Sequence, residues 1–130
     1  MEFFLVVHRY LRFVILALGI LGVLRSLVSL GTREARFMRV DEVLNRGYTG
    51  ALDLQTLVGI VLLLLLLGQS ADVSWIHPII MLPAVIVSHL SRRFRVRSDR
   101  DRHKAQLGIY VGSLVLIAAG LAVIGQLRLI

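Results

Sequence analysis

Apolar residues fall into four long runs, and the charged residues crowd into the stretches between them. The first run covers residues 3–24, close to the roughly twenty residues that carry a helix across the hydrocarbon layer, and His8, Arg9 and Arg12 interrupt only its first turns. The second, residues 50–68, ends in the unbroken run Val61 to Leu67 and has Asp53 and Gln55 near its start. The third, residues 73–90, contains Pro78, Pro83 and two histidines near its opposite ends, His77 and His89. Pro78 suits a first helical turn, where no N–H is needed, whereas Pro83 predicts a kink. The fourth, residues 107–127, is rich in small residues, among them Gly108, Gly112, Ser113, Gly120 and Gly125, which permit close helix approach. The predicted fold is all-α: a single domain over residues 1–130, built as an integral membrane four-helix up-and-down bundle.

The connections carry the topology. Residues 25–49 hold Arg25, Arg33, Arg36, Arg39 and Arg46, and residues 91–106 hold Arg92, Arg93, Arg95, Arg97, Arg100, Arg102 and Lys104. Only Arg9, Arg12 and Arg128 fall on the other side. The positive-inside rule then predicts a multi-pass protein of the cell's inner (plasma) membrane, with both connections in the cytoplasm and both termini outside. In the first connection Phe37, Val40, Val43 and Leu44 recur at near-helical spacing before Gly47. That pattern predicts a short interfacial amphipathic helix between spans 1 and 2, lying against anionic lipid headgroups or docking a partner subunit.

Composition narrows the function. A hydrophobic share of 57% and a mean hydropathy of +0.81 exceed what a soluble core of 130 residues could bury, so the bilayer is the first partner. The sequence pI near 11.3 is a topology signal: the arginines flank spans instead of forming a nucleic-acid surface, and no nucleic-acid partner is expected. With no cysteines, disulfides, thiolate metal sites, iron–sulfur clusters and covalent c-type haem are excluded. The N-terminus lacks the basic region and cleavage site of a signal peptide, and its apolar run reads as a retained helix. Zinc-protease, nucleophile-elbow and phosphate-loop patterns are missing, so hydrolytic catalysis has no support.

Folding four spans up and down sorts the polar residues into two layers. The outer layer joins His8, Arg9 and Arg12 to His77. His8 and Arg12, four residues apart, share one helix face. Two histidines on facing helices beside an arginine are what b-type haem needs: two axial nitrogens for iron and a cation for the propionates. The same residues also suit half of a quinone site, or anchor the helices at headgroup depth. The inner layer, a quinone or polar site at Asp53 and Gln55, joins these two to Ser88, His89 and His103. Asp53 is expected to pair with an arginine of the connections. Gln55 lies about 200° round the helix from Asp53, so the two cannot face one point. His89 is left open between a ligand, a partner of Gln55 and an interfacial residue, and His103 reads as a solvated loop residue. Twelve residues separate His77 from His89, roughly 120° of rotation, which argues against two stacked haems.

The segments His8-Arg9-Tyr10-Leu11-Arg12, Asp53-Leu54-Gln55-Thr56-Leu57-Val58-Gly59 and His77-Pro78-Ile79-Ile80-Met81, together with His89, resemble a family of small four-span bacterial membrane proteins often labelled cytochrome b. The resemblance implies a cytochrome-like membrane subunit, with His8, His77 and His89 as the positions that carry over as candidate haem ligands. The expected function is therefore a haem-binding or quinone-linked electron-transfer subunit, in contact with a quinone or a membrane redox complex and able to oligomerise. A cofactor-free accessory subunit is the second expectation, haem b and no cofactor standing level, and a small oligomeric transporter is the third.

Overall fold

The computed structural model describes residues 2–69 and 75–123. Within them the chain forms four α-helices: α1 (Glu2–Leu30), α2 (Arg39–Gly68), α3 (Ile76–Ser88) and α4 (Asp99–Val123), with a 3₁₀ segment, His89–Phe94, between the last two. This is the all-α bundle that the four apolar runs predict.

Heptad-like burial explains how the helices meet. On α1 the buried positions are Ile15, Gly19, Gly22, Ser26 and Ser29. On α4 the buried positions include His103, Gln106, Tyr110, Ser113, Ile117 and Gly120. Alternating steps of three and four residues keep one narrow stripe facing the neighbouring helix. Small residues on that stripe let large ones in: the Tyr110 ring lies directly against Gly22, and a Cβ at Gly19 would stand 2.7 Å from Leu114 and 3.0 Å from Tyr48. Tyr48 and Tyr110 meet edge to face with centroids 5.0 Å apart. The Tyr48 hydroxyl pairs with Ser113 Oγ at 2.6 Å, and Ser113 donates onward to the Ile109 carbonyl, so the buried phenol is satisfied.

Lipid-like surface covers much of the rest. Leu21, Leu24, Val28, Leu57, Leu64, Ile79, Ile86 and Val115 are all more than half exposed. Three helices, α1, α2 and α4, are long and apolar enough to cross a membrane. The third apolar run differs from its expected 73–90: it yields a 13-residue α-helix continued by six residues of 3₁₀ helix, and residues 73 and 74 lie outside the described residues. Helix α3 runs on through Pro83, although that residue has no N–H to donate.

The basic connections are largely helical. Helix α2 is 30 residues long, about 45 Å, some 15 Å more than the hydrocarbon layer. The amphipathic segment expected as a separate interfacial helix forms the first turns of α2, and Gly47 does not end it. The start of α2 is set by Met38, whose N–H donates to Asp41 Oδ2 at 2.8 Å. This is the reciprocal half of a capping box, and it satisfies one of the N–H groups at the helix start. Likewise α4 begins at Asp99, eight residues before the expected span. Residues 124–127 of that span, with Gly125 and Arg128, are outside the described residues. Among the described glycines of the fourth run, Gly108, Gly112 and Gly120, only Gly120 is closely approached, a Cβ there standing 3.1 Å from Met81; the tightest glycine positions among the described residues are on α1.

Candidate functional site

Polar residues gather at three places, and their hydrogen bonding separates them. The first is a histidine layer away from the arginine-rich end. His8 on α1 sits against Gly59 of α2, where a Cβ would lie 3.5 Å from the imidazole Cε1. Gln55, one turn before Gly59, donates from Nε2 to the His8 carbonyl at 2.8 Å and so ties α1 to α2. On the opposite helix pair, His77 of α3 sits against Gly120 of α4, with Nδ1 3.1 Å from the Gly120 carbonyl. Each imidazole is thus seated on a glycine of the adjacent helix. The two rings, and Arg12 with His8, are near enough for their charges to interact. Arg12 also lies over the Phe13 ring at 5.0 Å.

Two buried atoms in this layer, His8 Nδ1 and Gln55 Oε1, have no hydrogen-bond partner among the described residues. Orphaned buried polar atoms are few in native proteins and mark places where something else completes the bonding. No group of three or more His, Cys, Asp or Glu side chains suited to a metal ion occurs among the described residues. Two imidazoles, however, are all that an iron already held by four porphyrin nitrogens requires. The His77 ring fits that role: an Nδ1–H given to a backbone carbonyl fixes the tautomer that leaves Nε2 free.

The second place is a ladder between α2 and the end of α3, two elements that otherwise touch little. Asn45 Nδ2 donates to Ser91 Oγ at 2.8 Å, Thr49 Oγ1 reaches the Ser88 carbonyl at 3.4 Å, and Asp53 Oδ1 pairs with His89 Nε2 at 2.8 Å. Residues 45, 49 and 53 recur every four positions and so form one stripe. The partner of Asp53 is His89, not the arginine expected from the sequence. Because α2 begins at Arg39, Asp53 and Gln55 stand about halfway along the helix, and they look to different neighbours, as their 200° separation requires. The structure therefore brings together His8, Arg12, Gln55 and His77, and separately Asp53 and His89.

The third place seals the arginine-rich end. Asp41, with 5% of its side chain exposed, pairs with Arg25 at 2.8 Å while capping α2. His103 is not a solvated loop residue: it is 1% exposed, its Nε2 donates to the Arg36 carbonyl at 2.7 Å, and its ring meets Phe37 at 5.1 Å. Arg102 lies over the same Phe37 ring, its guanidinium 3.8 Å from the centroid. Arg100 donates to the carbonyls of Leu30, Thr32 and Arg33, satisfying groups that the end of α1 leaves open. Ala35, fully buried, adopts a positive φ of 47°, a left-handed conformation held by its N–H bond to Thr32 Oγ1.

Asp41 and His103 are the residues that sequence reasoning missed as structural centres. The signal for Asp41 was its position three residues after Met38 in a segment with continuing helical spacing. For His103 it was the seven-residue spacing to Tyr110 on a helix that starts before the apolar run. Comparison with known proteins brings no further constraint: the chain matches no family model, no curated protein and no solved structure.

Proposed function

We propose that the protein is a membrane-embedded electron-transfer subunit, with the histidine layer as its redox site and haem b as the group held between His8 and His77. One observation carries this reading. Two imidazoles, delivered by α1 and α3 from separate helix pairs, converge within electrostatic reach, each packed on a glycine. His77 would bind through Nε2, its Nδ1 being committed to Gly120, and His8 would supply the second nitrogen. Arg12 would offer a cation to a propionate. When bound, haem supplies a reversible one-electron couple; the chain's own residues fix the ring orientations. On the arginine count, the basic connections face the cytoplasm of a plasma membrane and the histidine layer lies toward the outside.

A quinone is the second reading, favoured by a different observation. A quinol hydroxyl could donate to the orphaned Gln55 Oε1, which iron ligation leaves unexplained.

The test is a reduced-minus-oxidised absorption spectrum of the protein purified in mild detergent. Haem ligation by the layer predicts a b-type band that disappears in both His8→Ala and His77→Ala while the helical content is kept. A fully assembled, colourless wild-type protein would reject haem. Retention of bound quinone would then favour the second reading, and absence of both would favour a cofactor-free accessory subunit.

A further inference from the structure

Beside the ladder of α2 and the 3₁₀ segment lies an open groove of about 310 Å³, lined by Arg46, Thr49, Asp53, His89, Arg92 and Arg95 among others. Its charge is unbalanced. Asp53 is engaged by His89 and Arg46 by Glu42 at 2.8 Å, but Arg92 and Arg95 have no acidic partner among the described residues. Two guanidinium groups at one mouth recognise an anion with several acceptor oxygens, which describes a phosphate. The groove also has polar positions besides the arginines, at Thr49 and at the Asn45–Ser91 pair, where Asn45 Oδ1 is buried without a hydrogen-bond partner among the described residues.

The walls say what the phosphate is attached to. Leu57, one turn beyond Asp53 on the same face of α2, is 59% exposed, and Ile86, one turn before His89 on α3, is 63% exposed. The polar groove therefore continues into an apolar strip along both helices. A free anion would have no use for that strip, whereas an acyl chain would cover it. We infer that the groove between α2 and the His89–Phe94 segment is a binding site for an anionic phospholipid, with its phosphate at Arg92 and Arg95, its glycerol backbone beside Asn45 and Thr49, and an acyl chain along Leu57 and Ile86. This site is separate from the histidine layer and does not depend on what that layer binds.

Gly50 permits a test that leaves every charge in place. It lines the groove, and a Cβ there would meet nothing within 4 Å, so Gly50→Leu introduces apolar bulk at the groove from a position with room for its Cβ, while improving helix propensity. The full chain, purified in detergent, is titrated with phosphatidylglycerol, and the lipid-bound fraction is read by native mass spectrometry. Gly50→Leu and, independently, the pair Arg92→Gln with Arg95→Gln should each weaken phosphatidylglycerol binding about tenfold or more, in line with the attraction each basic residue exerts near a lipid headgroup. The pair Arg33→Gln with Arg39→Gln, which removes the same charge elsewhere, should change it by less than about twofold. Phosphatidylcholine should bind at least about tenfold more weakly than phosphatidylglycerol to the wild type, and millimolar inorganic phosphate should not displace the lipid. Equal losses from the two arginine pairs, unchanged binding in Gly50→Leu, or displacement by inorganic phosphate would each overturn the lipid site.

Discussion

The two ends of the bundle use histidine in opposite ways. At the arginine-rich end His103 is sealed from solvent and donates to a backbone carbonyl, Asp41 carries a guanidinium and a helix cap, and Arg100 closes the carbonyls that α1 leaves open. Asp41, His103 and Arg100 all have partners within the chain there, and of the buried polar atoms beside them Gln106 Oε1 is without one among the described residues. In the histidine layer His8 Nδ1 and Gln55 Oε1 are buried without one among the described residues, although the rings themselves are firmly seated. Satisfied polar networks rigidify a fold, and a buried polar atom left without a partner calls for one from outside the chain or for strain within it. Titratable residues in a membrane protein are therefore sorted by their hydrogen-bond partners better than by their residue type.

The largest effect expected from breaking this contrast is at Asp41. Asp41→Ala removes the carboxylate of a largely buried pair and uncaps α2 together, and should lower stability by about 3 kcal/mol, read as a fall in the unfolding midpoint of the detergent-purified protein. Next is His103→Ala, which loses a buried ring and leaves the Arg36 carbonyl without its donor; about 2 kcal/mol is expected in the same measurement. Gln55→Leu should cost no more than about 1 kcal/mol, since one neutral hydrogen bond is lost and one orphaned oxygen goes with it. The smallest change belongs to Asp53→Asn. Its side chain is 50% exposed and that of its partner His89 is 35% exposed, so a loss within about 1 kcal/mol is expected. A loss at Asp53 as large as that at Asp41 would erase the distinction between ladder and seal.

How much of this was legible in the sequence depends on the kind of residue. Apolar runs announced the helices because lipid-facing and core-facing positions are both apolar, and for the same reason they could not say where each helix begins. Met38 is not one of the usual Ser, Thr, Asp or Asn caps, so the start of α2 was hidden, and the hidden start moved Asp53 and Gln55 from a helix end to its middle. The convergence of His8, Arg12 and His77 follows from antiparallel helices of known length and could be anticipated. The pairing of Gln55 with His8, by contrast, required the α1–α2 register, which is set by Gly19 under Tyr48 and by Arg25 with Asp41. The burial of His103 is unreadable from the apolar run, which begins after it, whereas α4 begins at Asp99.

The most direct test of the contrast puts His77→Ala and His103→Ala side by side and measures, for each, the b-type haem absorbance per folded molecule. His103→Ala should retain wild-type absorbance in whatever fraction folds, and His77→Ala should fold with its helical content intact and show none. If His103→Ala folds without haem, or His77→Ala keeps it in full, the proposed assignment of one end to structure and the other to haem is contradicted.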